Sequence, residues 1–251
     1  MIFKDKGYIG QFSMETPEQG KQQLLAYIKE LKELGHDRII GPINGNTWNS
    51  YRLISYSNDT VANFPLEPTN PLWYNDVYLD VGFKPLQKYY SEIFDIGYVV
   101  RFNNGIDIRN FRTDDFETLY NIANVSFARN FLYETVSFEE FTRIYGSPMK
   151  EKLDDGYIAL AYINNEPVGF IFSFVFNKTL ILKSMAVLPP YRSHGVGAAL
   201  INYVCLQAKK DGIDKAIGAL ISSNNHSGKI VSKYGSKIFR EYTLYEYTEL
   251  S

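Results

Sequence analysis

From residue 196 onward, Ala199, Leu200, Tyr203, Val204, Cys205 and Ala208 recur at the spacing of one helix face, and Lys209, Lys210 and Gly212 end the run. The pattern predicts an amphipathic helix. Just upstream, Leu180-Ile181-Leu182-Lys183-Ser184-Met185-Ala186-Val187 is too short for such a helix and is stopped by Pro189-Pro190, so it predicts a buried strand. Tyr157 to Ile163 and Val168 to Phe176, rich in β-branched and aromatic residues, predict two more strands, joined as a hairpin across Asn164-Asn165-Glu166. Gly105 to Arg109 predicts a first strand. Asp114 with Glu117 predicts the capped start of a helix carrying Leu119, Ile122, Ala123 and Phe127, and Ser137 with Glu140 makes a second capping box before Phe141 and Ile144. The tail, Lys237 to Tyr247, with Phe239, Tyr242, Leu244 and Tyr245, predicts closing strands.

Composition changes this picture little. At 251 residues, with 45% hydrophobic and 22% charged residues and a net charge of −2, the chain has an ordinary globular make-up and lacks the basic excess that nucleic-acid binding requires. One cysteine excludes internal disulfides, and Cys205 lies on the apolar helix face, where it predicts a packing residue and not a nucleophile. The mixed charges of Met1 to Lys6 lead into no long apolar run, so neither a signal peptide nor a membrane span is expected and a reducing cytoplasm is the default compartment. His36, His194 and His226 show no metal-ligand spacing.

Between the strand ending at Val187 and the helix lies Arg192-Ser193-His194-Gly195-Val196-Gly197-Ala198. Its glycines let the backbone approach a ligand, and the unpaired N–H groups of the helix start favour an anion. The dinucleotide fingerprint fails because Leu200 stands where a third glycine is needed. The Walker fingerprint fails at Gly228-Lys229, which has Ser223 and Ile230 at its defining positions. What the segment resembles is the acyl-CoA-binding loop of the GCN5-related N-acetyltransferases: Arg or Gln, two residues, Gly, one residue, Gly or Ala, met here by Arg192, Gly195 and Gly197. A second block of that family is matched by Asn224, Ser227 and Gly235.

The resemblance implies a mixed, centrally splayed β-sheet flanked by helices, the acyl-CoA N-acyltransferase fold, over residues 106–251. It also implies transfer of acetyl from acetyl-CoA to a primary amine of a small molecule or peptide, by direct attack in a ternary complex, with no metal. Arg192 to Ala198 would hold the pyrophosphate, Met185, Ala186 and Val187 would pair with the pantetheine arm, and the Val187 main chain would reach the thioester carbonyl. Asn224 and Ser227 would contact the arm, although both also read as helix-start residues. Where many members of the family carry a tyrosine, this chain has Val231, and Tyr234, about 60° away on a helix, is the substitute general acid. Tyr133 and Glu134, in the loop between the first two helices, are the expected acceptor-binding residues. Two other readings stay open: a non-catalytic acyl-CoA-binding module, and an aminoacyl transferase on a tandem version of the fold. The chain is expected to be a monomer or homodimer.

The chain also repeats itself. Gly35 to Gly41 aligns with Gly212 to Gly218, and Gly20 with Gly197, at one offset (212 − 35 = 177 and 197 − 20 = 177). Residues 1–100 therefore resemble a degenerate, smaller α/β half-module of similar topology, whose helix is followed by a strand and, later, by Gly82-Phe83. Its helix start is rebuilt: Thr16-Pro17-Glu18-Gln19 is a capping box, and Glu15 and Glu18 fall at the Arg192 and Gly195 positions, where carboxylates repel a pyrophosphate. The first copy is not expected to bind CoA.

Overall fold

The computed structural model describes residues 1–97, 105–146, 157–223 and 231–249, which sort into two units. One holds residues 1–91 with the described parts of 222–224 and 238–251, the other residues 92–221 with the described parts of 225–237. The expected division between residues 100 and 106 falls at 98–104, outside the described residues. Among the described residues no helix is long and apolar enough to cross a membrane.

In the second unit, β6 (Asp107–Asn110), β7 (Ile158–Ile163), β8 (Glu166–Phe176), β9 (Thr179–Val187) and β10 (Lys215–Ser222) lie in the order β10-β9-β8-β7-β6. All neighbours are antiparallel except β9 and β10. Asn164 and Asn165, at φ of 52° and 64°, make the left-handed two-residue turn that lets Ile163 pair Glu166. Among the described residues, three helices flank these strands: α3 (Phe116–Phe127), α4 (Phe138–Gly146) and α5 (Val196–Lys210). The expected cap at Asp114 is made by the next residue. Asp115 accepts the Arg112 N–H at 2.7 Å and both ends of the Arg109 guanidinium, because a 3-10 turn at Thr113–Asp115 delays the helix to Phe116. Ser137 accepts the Glu140 N–H, as predicted. Cys205 is buried among the apolar residues of α5, and burial pushes its thiol up to about 12.

The strand pair at the centre parts company. The β9–β10 ladder runs from Thr179↔Lys215 to Leu182↔Gly218, whereas β9 continues to Val187 and β10 to Ser222. A register shift in the β8–β9 ladder leaves Lys183 as the extra residue at that point. Bulge and divergence coincide, so the sheet splays just before Met185.

The first unit contains β1 (Ile2–Phe3), β2 (Tyr8–Ile9), α1 (Pro17–Glu33), β3 (Arg38–Gly41), β4 (Leu53–Ser57), α2 (Tyr74–Asp80) and the larger part of β5 (Lys84–Asp95). Strands β2 and β3 are parallel and joined through α1, as β9 and β10 are through α5. The two helices end alike. Gly35 and Gly212 take positive φ, and His36 N–H to Leu31 O recurs as Ile213 N–H to Ala208 O, both partners shifted by 177 (213 − 36 and 208 − 31). Helix α1 buries Gly20, Leu24, Ile28 and Leu31 against Ile9, Met14, Ile39, Val77, Tyr78 and Phe83. A side chain at Gly20 would meet Met14 and Val77, so this glycine now serves close packing.

The tail, expected to close the C-terminal fold, is a single strand, β11 (Lys237–Thr248), and it joins the first unit instead. Tyr245 to Thr248 pairs β3 and Arg240 to Thr243 pairs β4. A buried ion pair fixes that choice: Arg240 meets Glu67 at 2.7 Å, and Tyr242 donates to the other Glu67 oxygen. Alternation in the sequence marks a strand, but only the assembled fold says which strands it pairs with.

Candidate functional site

The site is built on the path from β9 through the loop into α5. Leu188 N–H donates to Val168 O at 2.9 Å, which sets the phase of the antiparallel β8–β9 ladder. Leu188 and Ala186 face β8 with their main-chain groups, so Met185 and Val187 turn theirs to the other edge. That edge is the one β10 has left. After a 3-10 turn at Pro189–Tyr191, Ser193 (φ 68°) and Gly195 (φ 83°) adopt left-handed backbone, and Gly195 is the N-cap of α5. Among the described residues no side chain caps this helix, and its first backbone bond is Ala199 N–H to Gly195 O. The N–H groups of Val196, Gly197 and Ala198 thus form an uncapped, positively polarised helix start.

Helix α1 shows the contrast. Thr16 accepts the Gln19 N–H, and Gln19 in turn accepts the Glu15 N–H at 2.8 Å. The edge of β2 is also in use, since Ile40 N–H donates to Gly7 O and Ile43 N–H to Ile9 O. One scaffold is open at both places and its copy is closed at both.

Around the open loop the side chains act as props. Arg192 is turned back under it, donating to Val187 O at 3.2 Å and Ser126 O at 2.9 Å. Its guanidinium therefore fixes the end of β9 against α3. His194 Nδ1 lies 3.0 Å from Arg192 O. Gly169, on β8 opposite Val187, has no room for a side chain: a Cβ would come within 2.8 Å of Ala186 O. Reasoning from sequence passed over it, although a glycine inside an apolar strand signals such an approach.

Tyr234 sits in a 3-10 turn, Ser232–Tyr234, that follows directly on Val231. Its hydroxyl donates to Asn202 on α5, its ring stacks on Phe94 at 5.1 Å, and burial pushes its phenol up to about 12, with a smaller push from Cys205. Val231 is buried, its methyls about where a Gly218 side chain would reach. Two further groups escaped the sequence. Tyr145 of α4 donates to Ser184 Oγ on β9 at 3.2 Å, with its phenol raised to about 12 by burial. Glu92 is buried on β5, where one oxygen accepts from Ser236 at 2.6 Å and Oε1 has no partner among the described residues. Single acids and tyrosines within alternating patterns carry no local mark of their burial.

Tyr133 donates to Asn124 on α3, Tyr120 pins the same loop through Val136 O, and Glu134 is half-buried there. Asn224, His226 and Ser227 lie outside the described residues. No group of three or more metal-ligating side chains is gathered among the described residues.

Residues 116–230 match the model of the acetyltransferase (GNAT) family. By structure the chain is similar to a GCN5-related N-acetyltransferase from Sphaerobacter thermophilus, with a TM-score of 0.62 at 14% identity over 90% of this chain and 66% of that one, so it spans just under two thirds of that protein. It is also similar to a functionally unknown conserved protein from Staphylococcus epidermidis (TM-score 0.56, 16% identity, 95% and 83% covered). A third is a tandem GNAT protein from the clavulanic acid biosynthesis pathway (0.54, 9%, 95% and 72%). At these identities the likeness concerns the fold. No curated protein matches the chain by sequence.

Proposed function

We propose, from the premise that this chain carries a GNAT-family acetyltransferase domain at residues 116–230, that it transfers an acyl group, acetyl first among them, from acyl-CoA to a primary amine of a small molecule or peptide. The observation that carries the reading is a coincidence within one segment. The uncapped start of α5 follows directly on a strand edge whose Met185 and Val187 main-chain groups are turned off the ladder. An anion suits the first feature and an amide-bearing arm the second.

The N–H groups of Val196, Gly197 and Ala198 would hold the pyrophosphate, where the helix dipole contributes roughly 0.3 to 2 kcal/mol. Ser193 and Gly195 shape the approach, and Arg192 acts as a positioning residue through Val187 O. The bound donor would supply a thioester open to attack. The Val187 N–H is the group assigned to its carbonyl oxygen, and Met185, with Asn224 and Ser227, to the arm. Tyr234 is held as a neutral phenol and is the assigned acid for the departing thiolate, releasing Asn202 as it donates. The loop with Tyr133 and Glu134 is the assigned acceptor wall.

A second reading, an acyl-CoA-binding module without turnover, is favoured by one observation: Val231 is aliphatic and buried, and the nearby Tyr234 hydroxyl is already engaged. Isothermal titration with acetyl-CoA tests the site common to both readings. Saturable binding is expected, and its absence sinks both. Release of free thiol across a panel of primary amines then assigns turnover, while binding with no release under any amine assigns the module.

A further inference from the structure

Near its end, strand β5 carries two buried side chains on one face, Glu92 and Phe94, since residues two apart on a strand point the same way. Both reach the same short piece of chain. The Phe94 ring stacks on Tyr234 at 5.1 Å, and one Glu92 oxygen accepts from Ser236 Oγ at 2.6 Å. One strand thus grips the tyrosine and the residue two places after it, and all four residues belong to the second unit.

The gripped segment is weak by itself. Its 3-10 turn, Ser232–Tyr234, is three residues long and closes with Gly235 N–H to Ser232 O at 3.1 Å, while Ser232, Lys233 and Gly235 are exposed. Gly235 takes a φ of 71°, and a side chain there would meet nothing within 4 Å, so packing does not fix the chain between Tyr234 and Ser236. Side-chain anchors must do so. The anchor chosen is a destabilising one, because Glu92 is 4% exposed and its Oε1 has no partner among the described residues. A carboxamide would keep an acceptor for Ser236 without burying a charge. What the carboxylate adds is a hydrogen bond roughly twice as strong as a neutral one.

We propose that Glu92 is a positioning residue for Tyr234, acting through Ser236 to hold the turn while Phe94 supports the ring. The inference rests on acyl transfer with Tyr234 as the acid. It gives Glu92 no contact with donor or acceptor and no proton to move. A residue that works against stability is expected beside a group whose placement matters. A tether of this kind acts on the chemical step and leaves donor binding alone.

The test is steady-state thiol release from acetyl-CoA across a panel of primary amines, with titration calorimetry and thermal unfolding of each full-chain variant at neutral pH. Glu92→Ala should lower kcat about tenfold, within the range of a misplaced catalytic group, with the amine KM and the acetyl-CoA Kd unchanged. Ser236→Ala cuts the same bond from a half-buried position and should do the same. Together they should lose no more than either alone, because they break one tether. Glu92→Gln keeps an acceptor for Ser236 and should fall between Glu92→Ala and wild type in kcat while unfolding at a higher temperature than wild type, a separation that a merely structural role would not give. In a Tyr234→Phe background, Glu92→Ala should change kcat no further. No thiol release from the wild type with any amine overturns the acyl-transfer reading and this inference with it. Wild-type turnover that both alanine variants retain, or a further loss from Glu92→Ala in the Tyr234→Phe background, overturns this inference alone.

Discussion

Glu92 brings a carboxylate into the interior of β5 with only half of its hydrogen bonds made. Burial raises its carboxyl above the ordinary range, against the smaller opposing effect of the Ser236 bond. A raised folded value means that the folded protein binds the proton more tightly than the unfolded chain does. The stability tied to it is therefore full below the ordinary carboxylate range and is lost as pH rises through the folded value. Glu92→Gln should accordingly stabilise the protein at neutral pH, by about 1 kcal/mol, with the gain vanishing in acid. Urea unfolding at several pH values reads this directly. At the same scale, Tyr234→Phe should lower kcat by about 100-fold while the Kd for acetyl-CoA is unchanged, as expected of an acid that acts only in the chemical step. Unchanged turnover would remove Tyr234 from the mechanism. Residue identity suggested Tyr234 from its spacing. It was silent on Glu92 and Tyr145, whose properties come from what surrounds them.

Helix starts were the most legible elements. A cap is a contact within three or four residues, so Thr16-Pro17-Glu18-Gln19 declared a closed start, and Gly195-Val196-Gly197-Ala198 an open one, before any tertiary contact was known. The matching helix ends at Gly35 and Gly212 were legible for the same reason. Ala198→Glu exploits the difference. At the third position of α5 a carboxylate favours the helix start by about 0.3–1 kcal/mol and repels a pyrophosphate. The melting temperature should hold or rise while acetyl-CoA binding is lost, and titration calorimetry beside thermal unfolding separates the two effects. Binding that survives the substitution would mean that the start of α5 is not the phosphate site. Less legible were Asp115, which displaced Asp114 by one residue, and the 3-10 turn under Tyr234. Such one-residue shifts depend on which partner a side chain finds.

For the molecule as a whole, strand β11 is the decisive case. It ties β3 and β4 into one sheet through the buried Arg240–Glu67 pair, with Tyr242 and Ser91 extending the network. Arg240→Met removes the cation that faces the buried Glu67 and should cost about 3–5 kcal/mol. Chemical denaturation should show the loss, and a cost under about 1 kcal/mol would mean the pair is not the anchor. By itself, the sequence determined what is local: the periodicities of α1 and α5, the hairpin turn at Asn164-Asn165, the caps, and the repeat at 177 that sets one uncapped helix start beside one capped one. Apart from the repeat, which is read by comparing two segments, these are set by contacts within about one turn of chain, where neighbouring residues suffice. Tertiary structure alone decided which strands β11 pairs with, where β9 leaves β10, which way Met185 and Val187 turn, and which polar groups are left buried with bonding capacity to spare. Each of those depends on partners far away in sequence, and strand pairing and burial are properties of the assembled fold.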